Sequence, residues 1–142
     1  MVSNRGGLET TGNNSSAGGD TPRTILLVDD DDSVRKSLSV LFEIHGWNAV
    51  SASTGAEAIK TLENEAVDLV LTDIFMPDFD GLEMLREVSK RWPGLPAIVL
   101  SGQLNWGDID WLRMARQMGA HAVLEKTSAF DDVLREVESA LA

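Results

Sequence analysis

Short apolar runs alternate with amphipathic stretches along most of this chain. The runs are Thr24–Val28, Asn48–Ala52, Asp68–Asp73, Ala97–Ser101 and Ala122–Leu124. Continuous apolar runs of this length, several of them rich in β-branched residues, are typical of strands that are buried on both faces of a parallel sheet. The pattern therefore predicts five strands.

The stretches between the runs have the periodicity of helices. The first carries an apolar stripe at Val34, Leu38, Leu41 and Phe42. A helix that buries one face shows apolar residues at this spacing, and a glycine just past its end is a frequent cap. Gly46 is that glycine here. Thr54 and Glu57 predict a capping box at the start of the second helix.

Three further helices are predicted in the second half of the chain. The third begins at Asp80 and ends by Trp92, because the proline that follows cannot continue a helix. The fourth is predicted to start near Asp108. The fifth is predicted to be capped by Ser128, with Asp131 three residues later.

This alternation of strands and helices between Thr24 and Ala142 predicts a doubly wound α/β fold. The common solution at this size is a five-stranded parallel sheet in the flavodoxin-like order 2-1-3-4-5, with helices on both faces. That order brings the loops after the first, third, fourth and fifth strands together.

Composition changes near residue 23. Residues 1–23 are rich in Gly, Ser, Thr and Asn and contain almost nothing to bury, which predicts a disordered N-terminal tail. Residues 24–142 then form the folded unit, and a chain of 142 residues is long enough for one domain with one core.

Charge and residue usage exclude several classes of function. The chain has 12 Lys and Arg against 23 Asp and Glu, a net charge of −11, which disfavours direct binding to nucleic acid. It has no cysteine for a disulfide or a thiolate metal site. No apolar stretch approaches the roughly 20 residues of a membrane span, and the N-terminus lacks the apolar region of a signal peptide. We therefore expect a cytoplasmic protein without a membrane partner.

Acidic and basic side chains follow three of the predicted strands. Asp29 and Asp30 come after the first, Asp73 ends the third, and Lys126 comes after the fifth. Ligands of open α/β sheets bind at the carboxyl ends of the strands. Three carboxylates and an ammonium at that edge predict a site for a divalent cation and a phosphoryl group. The neighbouring Asp31 and Asp32 are interpreted instead as cap and dipole charges of the first helix.

Four segments together carry a family resemblance. They are Ile25–Asp31, Val70–Pro77 with the following Asp80-Gly81, Val99–Gly102 and Leu124–Lys126. In their order and spacing they resemble the CheY-like receiver domains of two-component response regulators. Each segment alone is a weak signal, whereas four in register are a strong one.

The resemblance implies a function and a set of site residues. Asp73 would accept a phosphoryl group from a phosphohistidine with Mg²⁺ present, and Ser101 and Lys126 would bind that group. The implied metal site consists of Asp29, acting through a water, Asp30, Asp73 and the backbone carbonyl of Phe75.

The resemblance also implies partners. The phosphoryl donor would be a histidine kinase or a histidine phosphotransfer protein. The receiver would then act on a downstream protein target, and a homodimer with a second copy of the chain is one option. The domain would catalyse only its own phosphorylation and dephosphorylation, and would not otherwise be an enzyme.

Two positions depart from the family pattern. Thr127 replaces the usual proline after the lysine, so we expect a trans Lys126–Thr127 peptide bond or a strained one. Val123 replaces the aromatic residue that usually rotates on activation. These departures leave open a pseudo-receiver that needs no phosphorylation. A second alternative is a Mg²⁺-dependent phosphatase that uses Asp29 and Asp31 as an Asp-x-Asp motif.

Overall fold

Five strands form one parallel sheet in the part of the chain that the computed structural model describes. The model describes residues 22–142 except 75, 78, 79, 103, 104, 107 and 108. The strands are β1 (Thr24–Val28), β2 (Asn48–Ala52), β3 (Leu69–Thr72), β4 (Ala97–Ser101), β5 (Asn105–Trp106), β6 (Ile109–Asp110) and β7 (Ala122–Glu125). The sheet order is β2-β1-β3-β4-β7, and all of its neighbours are parallel. With β7 as the fifth predicted strand, the predicted fold class and strand order are confirmed.

Helices cover both faces of this sheet. They are α1 (Asp32–Ile44), α2 (Gly55–Asn64), α3 (Asp80–Arg91), α4 (Trp111–Gln117) and α5 (Phe130–Ala140). One core cluster joins the sheet to α2, α3 and α4, and the other joins it to α1 and α5. Successive residues of β1 enter opposite clusters, as the two-residue period of a strand requires. Leu26 and Val28 enter the first cluster, while Ile25 and Leu27 enter the second.

Two of the predicted helix caps are present. The Asp31 carboxylate accepts the backbone N–H of Ser33 at 2.9 Å and so caps α1. The Thr54 hydroxyl accepts the backbone N–H of Glu57 at 3.0 Å at the start of α2. Gly46, just after α1, has a φ of 87°, a left-handed conformation that costs glycine little.

The prediction for the start of the fourth helix is wrong. Asp108 lies outside the described residues, and the backbone of Ile109 and Asp110 belongs to a two-stranded antiparallel hairpin with Asn105 and Trp106. The helix therefore begins only at Trp111, where the Asp110 carboxylate accepts the backbone N–H of Arg113 at 3.1 Å. The hairpin replaces the first turn that the periodicity had predicted.

The predicted cap of the last helix is also wrong. The helix begins at Phe130, so its cap position falls on Ala129, whose side chain makes no capping hydrogen bond. Ser128 instead belongs to the turn after β7, where its backbone N–H donates to the Glu125 carbonyl at 3.0 Å. The third helix begins and ends as predicted.

The predicted N-terminal tail falls almost entirely outside the described residues, and its state stays a prediction. Within the described part of the chain, no helix has the length and apolar character needed to cross a bilayer.

Gly81 allows the start of α3 to approach β3 closely. A methyl group built on Gly81 would lie 2.5 Å from the carbonyl oxygen of Asp73 and 2.5 Å from the Cα of Ile74. Backbone atoms cannot rotate away as a flexible side chain can, so we expect Gly81→Ala to destabilise the protein by about 3 kcal/mol, measured by urea denaturation.

Gly94→Ala is the matched control for this substitution. A methyl group at Gly94 would meet no described atom within 4 Å. We expect this change to alter the free energy of unfolding by about 0.5 kcal/mol at most. Equal effects of the two substitutions would contradict the assigned role of Gly81.

Candidate phosphoryl and metal site

Backbone hydrogen bonds of the sheet fix the residues that follow its strands. The Asp73 N–H donates to the Val28 carbonyl at 2.9 Å, just beyond the pairing of β3 with β1. The Lys126 N–H donates to the Ser101 carbonyl at 2.8 Å, just beyond the pairing of β7 with β4. The carboxyl ends of these strands therefore present their side chains at one edge.

The Lys126 ammonium joins the two buried carboxylates of this edge. Its Nζ lies 2.8 Å from Oδ2 of Asp29 and 2.7 Å from Oδ2 of Asp73. Both aspartates are only 5% exposed. Charge-assisted hydrogen bonds of this length are the strong kind, because both partners are ionised. The structure thus brings together residues that lie far apart in the sequence.

The environment of Lys126 changes the pKa of this lysine. Burial by itself lowers the pKa of Lys126, but hydrogen bonds and charge from Asp29 and Asp73 outweigh it and raise the pKa above its ordinary value. Because the folded-state pKa is the higher one, the stabilisation from this ion pair is complete at neutral pH. It is lost only as the pH rises beyond the ordinary lysine value of about 10.4.

Three carboxylates are close enough to share a cation. Asp29, Asp30 and Asp73 each offer an oxygen, and these oxygens lie within 4.8 Å of one another. Carboxylate oxygen is the donor type that Mg²⁺ prefers, so the residues present fit that ion. Phe75, whose carbonyl was predicted to be a further ligand, lies outside the described residues.

Every polar atom of Asp29 is engaged. Its backbone N–H donates to the Ala52 carbonyl at 3.2 Å, and its own carbonyl accepts from Nη1 of Arg35 at 2.6 Å. Oδ1 accepts the backbone N–H of Asp31 at 2.9 Å, and Oδ2 accepts from Lys126. Asp29 is therefore the centre of the turn that carries the acidic residues. Sequence reasoning missed Arg35, because nothing in the pattern links a helical arginine to a carbonyl six residues earlier.

Two more residues of the family resemblance lie at the end of β4, next to the Lys126 backbone. Ser101 is fully buried at the end of β4, and Gly102 is exposed beside it. A methyl group at Gly102 would meet no atom of the described residues within 4 Å. Oδ1 of Asp31 accepts the capping bonds from Ser33, a helix-cap role that weighs against the phosphatase alternative.

Both departures from the family pattern are accommodated by the fold. The Lys126–Thr127 peptide bond is trans, as expected for a bond that does not precede proline. Val123 is partly buried in β7 and packs against the core cluster on the α2, α3 and α4 face. The side chains of Trp106 and Trp111 lie outside what the structure describes.

Comparisons with known proteins agree with this geometry. The family model described as the response regulator receiver domain matches residues 25–138. This chain belongs to the response regulator receiver domain family. Receiver domains are the phosphorylation-dependent signalling modules of two-component systems, they bind Mg²⁺ at their acidic pocket, and they interact with histidine kinases and downstream effectors.

Individual relatives show how much of the chain is shared. The transcriptional regulatory protein GlrR of Escherichia coli K12 is 35% identical over 106 residues, which is 75% of this chain and 23% of GlrR. The match spans between 17% and 23% of the length of the curated relatives.

Two solved structures agree with the fold. A CheY-like receiver from Methanospirillum hungatei JF-1 superposes with a TM-score of 0.78 at 30% identity, covering 85% of this chain and 94% of that one. Response regulator TrrA from Thermotoga maritima, solved in complex with Mg²⁺ and BeF, gives a TM-score of 0.73 at 28% identity, covering 83% and 98%. Nothing among the relatives favours the pseudo-receiver alternative.

Removal of the ammonium between the buried carboxylates should destabilise the protein. We expect Lys126→Met to lower the free energy of unfolding at pH 7, without divalent cations, by about 1–3 kcal/mol, because two buried carboxylates lose their counter-charge. Urea denaturation measures this, and the deficit should shrink when Mg²⁺ is added, since in the variant no ammonium competes for the carboxylates and the cation stabilises the folded state more than it does in the wild type.

Lys60→Met is the control for the loss of one lysine charge, because Lys60 is exposed on α2. It should change stability by about 0.5 kcal/mol at most and should not alter the response to Mg²⁺. A Lys126→Met protein as stable as the wild type would show that the ion pair contributes nothing net.

Proposed function

We propose that Asp73 is the phosphoryl acceptor of this receiver domain. The observation that carries the proposal is the Lys126 ammonium 2.7 Å from the Asp73 carboxylate, with Asp29 and Asp30 beside it. A cationic side chain, a group of metal-binding carboxylates and a buried carboxylate nucleophile are together what phosphoryl transfer to a carboxylate requires.

The transfer uses one oxygen of Asp73. That oxygen forms a bond to phosphorus while the P–N bond of a phosphohistidine breaks, and the donor imidazole leaves and takes up a proton. The nucleophile is already ionised, so the protein has no base to supply. Its contribution is to position the carboxylate and to neutralise charge on the equatorial oxygens of the transferring group.

The surrounding residues have separate roles in this proposal. Asp30 and Asp73 would hold Mg²⁺ directly, and Asp29 would act through a bound water. The Phe75 carbonyl, which lies outside the described residues, would be a further ligand as the family resemblance implies. The bound ion supplies neutralising charge to the phosphoryl oxygens. The complex of TrrA with Mg²⁺ and BeF supports such a site in a relative of the same fold.

Lys126 and Ser101 bind the transferred group. The Lys126 ammonium moves from the Asp73 carboxylate to the phosphoryl oxygens as a point charge, and the Ser101 hydroxyl donates a hydrogen bond to them. These new contacts shift an existing equilibrium of the loops that follow β4 and β7. The domain would in this way catalyse its own phosphorylation and dephosphorylation.

The proposed partners follow from this chemistry. A histidine kinase or a histidine phosphotransfer protein donates the phosphoryl group, in the cytoplasm, where ATP is available to such kinases. The phosphorylated domain acts on a downstream protein target or a second copy of itself. With a net charge of −11 it has no direct role in binding nucleic acid.

Labelling with acetyl phosphate tests the acceptor. In the presence of Mg²⁺ the wild-type chain should take up one phosphoryl group, measured by intact mass, and Asp73→Asn should take up none. Asp68→Asn is the matched control, because Asp68 lies just before β3 and Asp73 just after it. Undiminished labelling of Asp73→Asn would contradict the assignment.

Beryllofluoride binding separates this function from a pseudo-receiver. Beryllofluoride bound to Asp73 stands in for the phosphoryl group, so it needs the same cation and the same ammonium. We expect binding only with Mg²⁺ present, and a loss of about tenfold or more in Lys126→Met. Failure of the wild-type chain to bind beryllofluoride with Mg²⁺ would favour the pseudo-receiver.

A further inference from the structure

Arg35 connects the first turn of α1 to the end of β1. Its Nη1 donates to the backbone carbonyl of Asp29 at 2.6 Å, and its Nη2 donates to Oδ1 of Asp32 at 2.7 Å. Side chains on a helix point towards its N-terminus, so a residue in the first turn reaches the preceding strand end. Only 16% of the Arg35 side chain is exposed.

The carbonyl that Arg35 binds lies just beyond the sheet. Val28 is the last residue of β1 that pairs with either neighbouring strand, so the Asp29 carbonyl lies past the last strand pair. A polar group in such a buried position needs a partner from elsewhere. The planar guanidinium donates to this carbonyl through Nη1 while its Nη2 donates to Asp32, and a lysine cannot hold two donors in such a fixed geometry.

Arg35 also lies against the underside of the candidate site. It lines a small cavity of about 10 Å³ together with Asp29, Thr72 and Asp73, between α1 and the sheet. The residue therefore contacts the same turn and borders the same carboxylates that the cation site uses, without offering an oxygen ligand itself.

We propose that Arg35 is a positioning residue of the cation site. Nη1 of Arg35 holds the Asp29 carbonyl, while Nη2 is held by the Asp32 carboxylate. Arg35 thereby fixes the turn from Asp29 to Asp31. The fixed turn directs the Asp29 and Asp30 carboxylates towards Asp73. This inference rests on the proposed function, since it concerns the same Mg²⁺ site.

Charge alone predicts the opposite effect of removing Arg35. A positive charge next to a cation site repels the cation, so its loss should tighten binding if the site geometry stays the same. A purely structural role would lower the melting temperature and leave the affinity of the folded protein unchanged. Weaker cation binding by a folded variant is thus the distinctive result of positioning.

Mn²⁺ binding to the full chain tests the proposal without any phosphorylation. The electron paramagnetic resonance signal of free Mn²⁺ gives the dissociation constant in a titration. The titration is run well below the melting temperature of each variant, so that every variant is folded. We expect Arg35→Met to weaken Mn²⁺ binding by about tenfold, the usual size of the loss when an outer residue that orients metal ligands is removed. Arg35→Lys keeps the positive charge but lacks the planar guanidinium with its two donors, so we expect it to bind Mn²⁺ more weakly as well.

Lys36→Met is the matched control. Lys36 is the next residue of α1 and also pairs with Asp32, at 3.1 Å, but its side chain is 77% exposed and, among the described residues, its ion pair is with Asp32 and not with Asp29. Its loss removes the same charge from the same helix and should change Mn²⁺ affinity by about twofold at most, because exposed charges are screened.

The Mn²⁺ affinities of these variants decide whether Arg35 positions the cation site. Unchanged or tighter binding by Arg35→Met, or wild-type binding by Arg35→Lys, would overturn the positioning role. Asp30→Asn separates this failure from a failure of the proposed function, because it should abolish Mn²⁺ binding in either case. If the wild-type chain does not bind Mn²⁺, or if Asp30→Asn binds it equally well, the metal site itself falls and the role of Arg35 with it.

Discussion

Two carboxylates that are almost fully buried at one edge of a sheet repel each other unless a cation lies between them. In this protein the cation is the Lys126 ammonium, within 2.8 Å of Asp29 and 2.7 Å of Asp73. Each of the three residues follows a different strand, so the contact requires that β1, β3 and β7 run parallel and end at the same edge. The site depends on this contact, and the contact depends on the topology of the whole sheet.

The backbone around the contact leaves little freedom to adjust. The N–H groups of Asp73 and Lys126 are held by neighbouring strands, and Gly81 brings α3 against the Asp73 peptide. A functional group held by rigid elements keeps its geometry better than one carried by a loop. The fold therefore fixes where the Asp73 carboxylate lies, and the same rigidity explains why a single methyl group at Gly81 should be so destabilising.

The sequence predicted the sheet order and the meeting of Asp73 with Lys126 at one edge, because buried strands and strand ends follow from apolar periodicity and topology. It failed where local signals compete. The apolar residues from Trp111 onwards fit a helix, but the backbone just before them, at Ile109 and Asp110, pairs with β5 and does not form the first helical turn. Arg35 left no signal, since its partner is a backbone carbonyl, which every residue has.

The hydrogen bonds of the Asp29 carboxylate determine which oxygens of the site are available to a cation. Oδ1 is committed to the turn through Asp31, and Oδ2 to Lys126. A cation that enters must therefore compete with the ammonium for Asp29 and Asp73, while the exposed Asp30 is open to it. If Asp73 is the acceptor, the ammonium released in this competition is the group that meets the phosphoryl oxygens. In that case the exchange of partners would involve the Lys126 side chain, because the Lys126 backbone N–H is held by the Ser101 carbonyl.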